Sequence, residues 1–150
     1  MDIMLVGGAS PLMKTLSLKL HKEGHRIFVL SGSRDPQNHY EHVFERYDFS
    51  YDRASVEEVF RSVNPDVTIL MGAYDSNYPG RDFRREAVAY SAGLQNLLLS
   101  WSALKKGRLL YLSSVEVYGG RYSSAVSERD KAGPRGVRPL MLYQGEESCR

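Results

Sequence analysis

Short apolar runs separated by amphipathic stretches recur along most of the chain. Most of these runs are rich in Ile, Val and Leu and stop at glycine or serine, which is typical of strands buried on both faces of a sheet. Strands are predicted over residues 3–6, 26–30, 47–49, 67–71 and 109–112. The segments between them favour helices, so the pattern predicts an alternation of strands and helices.

The first helix is predicted from its cap and from a leucine stripe. Ser10 suits an N-cap and Pro11 suits the first helical position. Gly24 lies where a left-handed residue ends a helix. The leucines that recur at helical spacing predict its apolar face; they are Leu12, Leu16 and Leu20.

Three further helices are predicted after the later strands. One begins at Ser55, which has capping-box spacing to Glu58, and ends before Pro65. A long helix is predicted over about 83–105, and another begins at Leu140. The apolar positions of the helix at Ser55 recur at helical period; they are Val56, Val59, Phe60 and Val63.

This alternation predicts the fold class. Strands separated by helices pair in parallel through right-handed crossovers. The expected architecture is an α/β, doubly wound (Rossmann-like) parallel sheet of about five strands with helices on both faces. Ligands of such sheets bind at the carboxyl ends of the strands. Residues 1–150 are expected to form one domain.

Composition fits this architecture and narrows the function. Of the 150 residues 42% are hydrophobic and 25% charged, which is ordinary for a globular protein. The net charge of +2 does not indicate nucleic-acid binding. The single cysteine, Cys149, excludes an internal disulfide framework and disfavours structural zinc. No apolar run approaches the ~20 residues of a membrane span. We expect a soluble, cytoplasmic protein without metal, membrane or nucleic-acid partners.

The turn after the first strand is the first candidate site. A dinucleotide-binding turn needs three glycines, for the tight turn, the approach to the pyrophosphate and close helix packing. Gly7 fills the first place, whereas Ser10 and Met13 stand at the other two. The Ser10 hydroxyl either donates to a phosphate or caps its own helix. Met13 is interpreted as a core residue.

The end of the second strand bears on the choice of cofactor. A carboxylate at this place binds the ribose hydroxyls of NAD. Ser31 stands there instead, and Arg34 follows on the loop. No carboxylate repels a 2′-phosphate, which favours NADP slightly over NAD. The alternative for Arg34 is a solvated side chain on a loop.

A sharper signature follows the fifth strand. The segment at residues 113–119 resembles the Ser-Ser-x-x-Val-Tyr-Gly motif of the extended short-chain dehydrogenase/reductases, the NAD-dependent epimerase/dehydratase family. Two further features come in the same order along the chain as in that family. Asp48 corresponds to an aspartate that lies near the adenine, and small residues follow the fourth strand. The resemblance implies cofactor-binding positions at the strand ends. Together with the glycine turn, the candidate cofactor-binding residues are Gly7, Ser10, Pro11, Leu12, Ser31, Arg34, Asp48, Phe49, Met71, Gly72 and Ala73.

The resemblance also implies the catalytic candidates. The family uses a Ser or Thr to position the substrate oxygen and a Tyr-x-x-x-Lys pair to move a proton. Ser114 corresponds to the serine and Tyr143 best matches the tyrosine, but Glu147 occupies the lysine position. A carboxylate there disfavours a phenolate. The structural alternatives are a turn cap for Ser114 and a surface aromatic for Tyr143. Tyr90 stands where the family's long helix usually has Asn.

Two functions are compatible with these residues. By resemblance, the chain is an NAD(P)-dependent epimerase, dehydratase or reductase acting on a nucleotide-sugar or related carbonyl substrate. Alternatively, it is a non-catalytic Rossmann-like binding or regulatory module that has lost the Tyr-x-x-x-Lys pair. The family carries a further substrate-binding half, so the chain is expected to be the N-terminal portion of a longer one. The family also commonly pairs through its long helix, which implies a possible homodimer through residues 83–105.

Overall fold

The computed structural model describes most of the chain. It covers residues 1–7, 11–31, 42–43, 45–48, 53–70, 83–104, 107–119 and 125–150. For residues 31, 45–48 and 83–89 it describes the backbone and not the side chains. The strands are β1 (Asp2–Val6), β2 (Arg26–Ser31), β3 (Glu45–Asp48), β4 (Val67–Leu70) and β5 (Arg108–Tyr111). The helices are α1 (Pro11–Lys22), α2 (Arg53–Val63), α3 (Phe83–Ala103) and α4 (Val137–Cys149), with a 3₁₀ helix at Val115–Tyr118.

The five strands form one parallel sheet in the order β3-β2-β1-β4-β5. β1 lies at the centre, where Leu5 pairs with Val29 of β2 on one side and Ile69 of β4 on the other. The chain moves outward from β1 to β3 and then returns to β4 on the opposite side of β1. The predicted doubly wound sheet of about five strands is confirmed.

Helices cover both faces of this sheet, because successive strand residues point to opposite sides. On one face, Ile3 and Leu5 pack with Met13 of α1. On the other face, Met4 and Val6 pack in a cluster with residues of α2, α3 and α4. Each face of the central strands is therefore buried against helices, as the near-continuous apolar runs predict.

The buried face of α1 differs from the predicted leucine stripe. Met13 and Ser17 are its buried residues, and Leu12 is 55% exposed. Leu16 and Leu20 pack beside the core and are only partly buried. Successive helical residues are about 100° apart, so a helix centred on Met13 and Ser17 turns Leu12 away from the sheet. The interpretation of Met13 as a core residue is confirmed.

Several predicted element ends are wrong by a few residues. α2 begins at Arg53, so Ser55 lies inside its first turn and is not its N-cap. α4 begins at Val137, before the predicted Leu140. β3 spans Glu45–Asp48, and Phe49 lies outside the described residues. Helix boundaries depend on capping geometry, which the hydrophobic period does not specify.

α3 is the longest described helix, with 21 residues. Tyr90, Leu94 and Leu97 face the core, whereas Leu99 remains 47% exposed. Neither α3 nor any other described helix combines the length and apolarity that crossing a bilayer requires.

Candidate functional site

The carboxyl end of β1 makes the sharp turn that the first glycine predicts. Gly7 has φ +127°, a conformation that side chains disfavour, and its N–H donates to the carbonyl of Leu30 at 3.0 Å. Val6 pairs with Leu30 and with Leu70, so the ends of β2, β1 and β4 are neighbours. Gly7 therefore turns the chain away at the centre of the sheet edge.

The first turn of α1 follows this edge. Pro11 and Leu12 are exposed, and the turn carries no acidic side chain. The free N–H groups of a helix N-terminus favour an anion, and no carboxylate on this turn opposes one. Ser10, the candidate phosphate ligand or cap, lies outside the described residues.

Only part of the remaining predicted cofactor set can be placed. Ser31 ends β2 and pairs in register with Asp48 of β3, which puts both backbones at the same sheet edge. The other candidates lie outside the described residues; they are Arg34, Phe49, Met71, Gly72 and Ala73. Their proposed contacts remain predictions from the sequence.

The order of the strands reverses its direction at this edge, between β1 and β4. The chain leaves β1 toward β2 through α1 on one face, and later reaches β4 on the other side of β1 through α2 on the opposite face. Connections that diverge in this way leave a gap between neighbouring strand ends, and ligands of doubly wound sheets bind there. The predicted binding edge thus has Gly7 and the start of α1 beside it.

Ser114 caps the 3₁₀ helix that follows β5. It is half-buried in extended backbone, with φ −143° and ψ 150°, and its Oγ accepts a hydrogen bond from the N–H of Glu116 at 3.3 Å. The capping role foreseen as the structural alternative is therefore present. It does not exclude chemistry, because an accepting hydroxyl keeps its own proton for another partner.

Tyr143 is half-buried on α4 and faces a polar cavity of about 190 Å³. The cavity lies between the 3₁₀ helix, the connection before α4, and α4 itself. Its described lining, which does not include Ser114, consists of Val117, Tyr118, Glu128, Asp130, Ala132, Tyr143, Glu146 and Arg150. The motif containing Ser114 reaches this cavity through its later residues Val117 and Tyr118.

The acidic residue beside Tyr143 is not the one that the motif spacing indicates. Glu147, at the lysine position, is exposed and pairs with Arg150 at 2.7 Å. Glu146, its neighbour, lines the cavity instead. The sequence analysis missed Glu128, Asp130 and Glu146, because residues in an irregular polar connection and at a helix flank carry no periodic signal.

The buried Tyr90 and the half-buried Tyr111 join α3, β5 and α4. The hydroxyls of Tyr90 and Tyr111 are 3.0 Å apart, and that of Tyr111 donates to the carbonyl of Leu142 at 3.4 Å. Burial raises the pKa of both phenols, so both stay neutral at ordinary pH. Gly145 leaves room for the Tyr111 side chain, since a Cβ on residue 145 would lie 2.2 Å from the phenol oxygen. Tyr90 is thus a core residue in a hydrogen-bonded pair.

Two of the four histidines, His21 and His42, lie close together beside α1. His42 Nε2 lies 2.7 Å from the buried Ser17 Oγ, and its ring centroid is 5.8 Å from that of His21. Burial, followed by the charges of His21 and Lys14, lowers the pKa of His42. In the part of the chain that the structure describes, no three metal-binding side chains come together.

The sheet order, the glycine turn and the exposed start of α1 define a Rossmann-like class of α/β domain. Within this class, the chain belongs to the NAD dependent epimerase/dehydratase family, whose characteristic sequence pattern matches residues 3–144.

Solved structures share the fold of this chain. UDP-glucose 4-epimerase of Thermotoga maritima, solved with UDP-glucose, has a TM-score of 0.85 and 20% identity over 98% of this chain and 49% of its own. The enzyme WbmG of Bordetella bronchiseptica, in complex with NAD, has a TM-score of 0.84 and 21% identity over 99% of this chain and 49% of its own. The UDP-glucose 4-epimerase complex with NAD from Thermus thermophilus has a TM-score of 0.80 and 22% identity over 98% of this chain and 49% of its own.

These matches extend over nearly all of this chain, which spans about half the length of the structures it matches. No curated protein sequence matches it significantly.

Proposed function

We propose that the protein is an NAD(P)-dependent epimerase, dehydratase or reductase acting on a nucleotide-sugar or related carbonyl substrate. The observation that carries this proposal is the glycine turn at the centre of the sheet edge, where Gly7 turns the chain beside the exposed start of α1. Family membership supports a nicotinamide cofactor, and two of the similar structures are complexes with NAD. The Thermotoga maritima epimerase was solved with UDP-glucose, and another structure of WbmG contains both NAD and UDP, which supports the substrate class.

The described residues fit such a cofactor. Gly7 has no side chain at the turn, and the first turn of α1 presents N–H groups and carries no carboxylate of its own. Ser10, Pro11 and Leu12 would adjoin the pyrophosphate. When bound, the nicotinamide accepts or donates the hydride. The other candidate contacts follow from the order of the strand ends; they are Ser31, Arg34, Asp48, Phe49, Met71, Gly72 and Ala73.

A slight preference for NADP follows from the end of β2. Ser31 offers no carboxylate against a 2′-phosphate, and Arg34 supplies a guanidinium that pairs with one. Titration of the protein with NADPH and NADH under identical conditions tests this preference. Arg34→Gln should weaken NADPH binding and leave NADH binding unchanged, whereas equal losses would contradict the assignment.

Ser114 and Tyr143 carry the proton chemistry in this proposal. Because Ser114 Oγ accepts from the Glu116 N–H, its own proton is free to donate to a substrate oxygen. Tyr143 faces a polar cavity from which it can exchange a proton with a bound ligand. Glu147 cannot supply the cationic support of a lysine, so we expect slow turnover.

Two measurements test the function. Binding should enhance NADPH or NADH fluorescence and raise the melting temperature, since a ligand at 100 times its Kd adds about 2.7 kcal/mol to stability. No change with either dinucleotide at millimolar concentration would contradict the cofactor assignment. Tyr143→Phe should then abolish substrate turnover without weakening dinucleotide binding, and turnover that survives this change would remove Tyr143 from the mechanism.

A second candidate is a non-catalytic dinucleotide-binding or regulatory module. The exposed Glu147–Arg150 pair favours it, because the place of the lysine is taken by a carboxylate engaged with its own helix. This candidate predicts dinucleotide binding without turnover, and no gain in activity from Glu147→Lys. A substantial gain in that variant would favour the enzyme.

We also propose a homodimer through α3. The support is Leu99, which stays 47% exposed on a long helix at the surface. Sedimentation should show a dimer that Leu99→Glu dissociates, while the matched exposed change Leu18→Glu on α1 leaves it intact. A monomeric wild-type protein would contradict this proposal.

A further inference from the structure

The connection between the 3₁₀ helix and α4 is tied back to the 3₁₀ helix. The N–H of Gly133 donates to the carbonyl of Val117 at 3.0 Å. Gly119, with φ +97°, approaches the same place so closely that a Cβ would lie 2.6 Å from the carbonyl oxygen of Gly133. These contacts bring the start of α4 beside the 3₁₀ helix.

Glu116 makes a third contact and reaches two elements at once. Its backbone N–H donates to Ser114 Oγ at 3.3 Å. Its carboxylate Oε1 accepts from Arg138 Nη1 at 3.1 Å, in the first turn of α4. A single residue therefore connects the Ser114 hydroxyl to the helix that carries Tyr143.

This ion pair is poorly suited to a purely stabilising role. The side chains of Arg138 and Glu116 are 40% and 41% exposed, and pairs so exposed add little to stability. The Arg138 Nε is buried without a hydrogen-bond partner among the described residues, which costs free energy. The pair does provide orientation, because a guanidinium donates in fixed directions from a planar group.

We propose that Arg138 is a positioning residue that, through Glu116, sets the placement of the Ser114 hydroxyl relative to α4 and Tyr143. The inference rests on the proposed function, because it concerns the same two candidate catalytic residues. It goes beyond that function by giving a task to a residue outside the Ser-Ser-x-x-Val-Tyr-Gly segment. Loss of the pair should misplace reacting groups without unfolding the protein.

A spectroscopic experiment tests the connection without relying on activity. The full chain is labelled with ¹⁵N on the backbone and ¹³C on the tyrosine rings. Arg138→Gln should shift the Glu116 amide and the Tyr143 ring signals together, and Arg138→Lys should move both back toward the wild-type positions. The control is Arg61→Gln, which breaks an exposed 2.8 Å pair with Glu57 on α2 and should leave both signals in place.

Three results would overturn the proposal. The first is a Tyr143 signal that stays in place when Arg138→Gln shifts the Glu116 amide. The second is an unshifted Glu116 amide in that variant. The third is a melting temperature that falls by more than in Arg61→Gln with signals shifted throughout the protein, since this would show a structural role only.

Kinetics supply the second readout. Because a displacement of about 1 Å can cost on the order of 100-fold in rate, Arg138→Gln should lower kcat ~10- to 100-fold. KM and the dinucleotide Kd should stay within roughly twofold, since the substitution leaves ground-state binding intact. A rise in KM at constant kcat would contradict positioning. A wild-type protein that binds no dinucleotide contradicts the proposed function, whereas the coupled signals of Glu116 and Tyr143 still decide the role of Arg138.

Discussion

The centre of the sheet and its β5–α4 side are held together by different forces. β1 is buried along almost its whole length, and Leu5 and Met4 have no exposed surface. β5 alternates between exposed and partly buried residues. Beside it, α4 is held through the hydrogen bond from the Tyr111 hydroxyl to the Leu142 carbonyl and through the Glu116–Arg138 pair, as well as through apolar contacts.

This difference separates stability from candidate chemistry. Apolar burial is non-directional and grows with the area removed from water, so it stabilises the centre without fixing any one polar group. Hydrogen bonds and close approaches fix direction and distance. The region with Ser114 and Tyr143 therefore has the contacts that can orient reacting groups. The strand ends near Gly7 belong to the strands that apolar burial stabilises.

The largest effect is expected in the apolar core. Phe60 of α2 has no exposed surface and packs in the cluster beneath the sheet. Phe60→Ala removes buried area and leaves a cavity, so it should cost about 3–5 kcal/mol of the free energy of unfolding. Urea unfolding measures this cost. Leu18→Ala, at an exposed position of α1, is the control, and an equal loss there would contradict the distinction.

A moderate effect is expected where α4 meets β5. A Cβ on residue 145 would lie 2.2 Å from the Tyr111 phenol oxygen and 2.5 Å from its ring carbon Cζ. Gly145→Ala should therefore destabilise the protein by roughly 1–3 kcal/mol through overpacking. Adding Tyr111→Leu should recover part of the loss in a double-mutant cycle. Additive losses would show that the two residues do not share this space.

A smaller effect is expected at alkaline pH, on the β5–α4 side. The pKa of Tyr111 and Tyr90 is raised by burial above the ordinary 10.0. The folded state then retains protons that the unfolded state releases, so stability should decline as pH rises above about 10. Burial also raises the pKa of Cys149, which adds to this decline from about pH 9. Chemical unfolding between pH 8 and 11 should show a shallower slope in Tyr111→Phe than in wild type.

The smallest effect is expected at acid pH, on the α1 side. Burial and the neighbouring charges of His21 and Lys14 lower the pKa of His42 below 6.5. The unfolded state binds the proton more readily, so stability should decline as pH falls below 6.5. His42→Gln should flatten this slope and Tyr111→Phe should not. If Tyr111→Phe flattened the acid slope and His42→Gln did not, the assignment of this slope to the α1 side would be wrong.

The strand and helix order could be predicted because it depends on local patterns. Runs such as 3–6 and 27–30 are apolar without interruption, which is typical of strands buried on both faces. Gly7 after β1 predicted a tight turn, and its positive φ shows one. The wrong predictions concern ends and faces, such as Ser55 as a cap and Leu12 as a core residue, because both depend on how a helix is seated.

The candidate site was only partly visible in the sequence. Ser114 and Tyr143 came from a resemblance to a motif, and their roles remain proposals. No local pattern connects Tyr111 with Gly145, or Glu116 with Arg138, since each pair is distant along the chain and lacks periodicity. The same holds for Glu146, which lines the same cavity as Tyr143 although Glu147 has the expected spacing.

The amino-acid sequence by itself determined the alternation of strands and helices and hence the class of fold, because burial imposes periods of two or 3.6 residues on neighbouring positions. Only the tertiary structure decided which side chains meet. Contacts such as that of Tyr111 with α4 depend on the packing of whole elements, and a rotation of one helix by a single residue would replace every partner on its face.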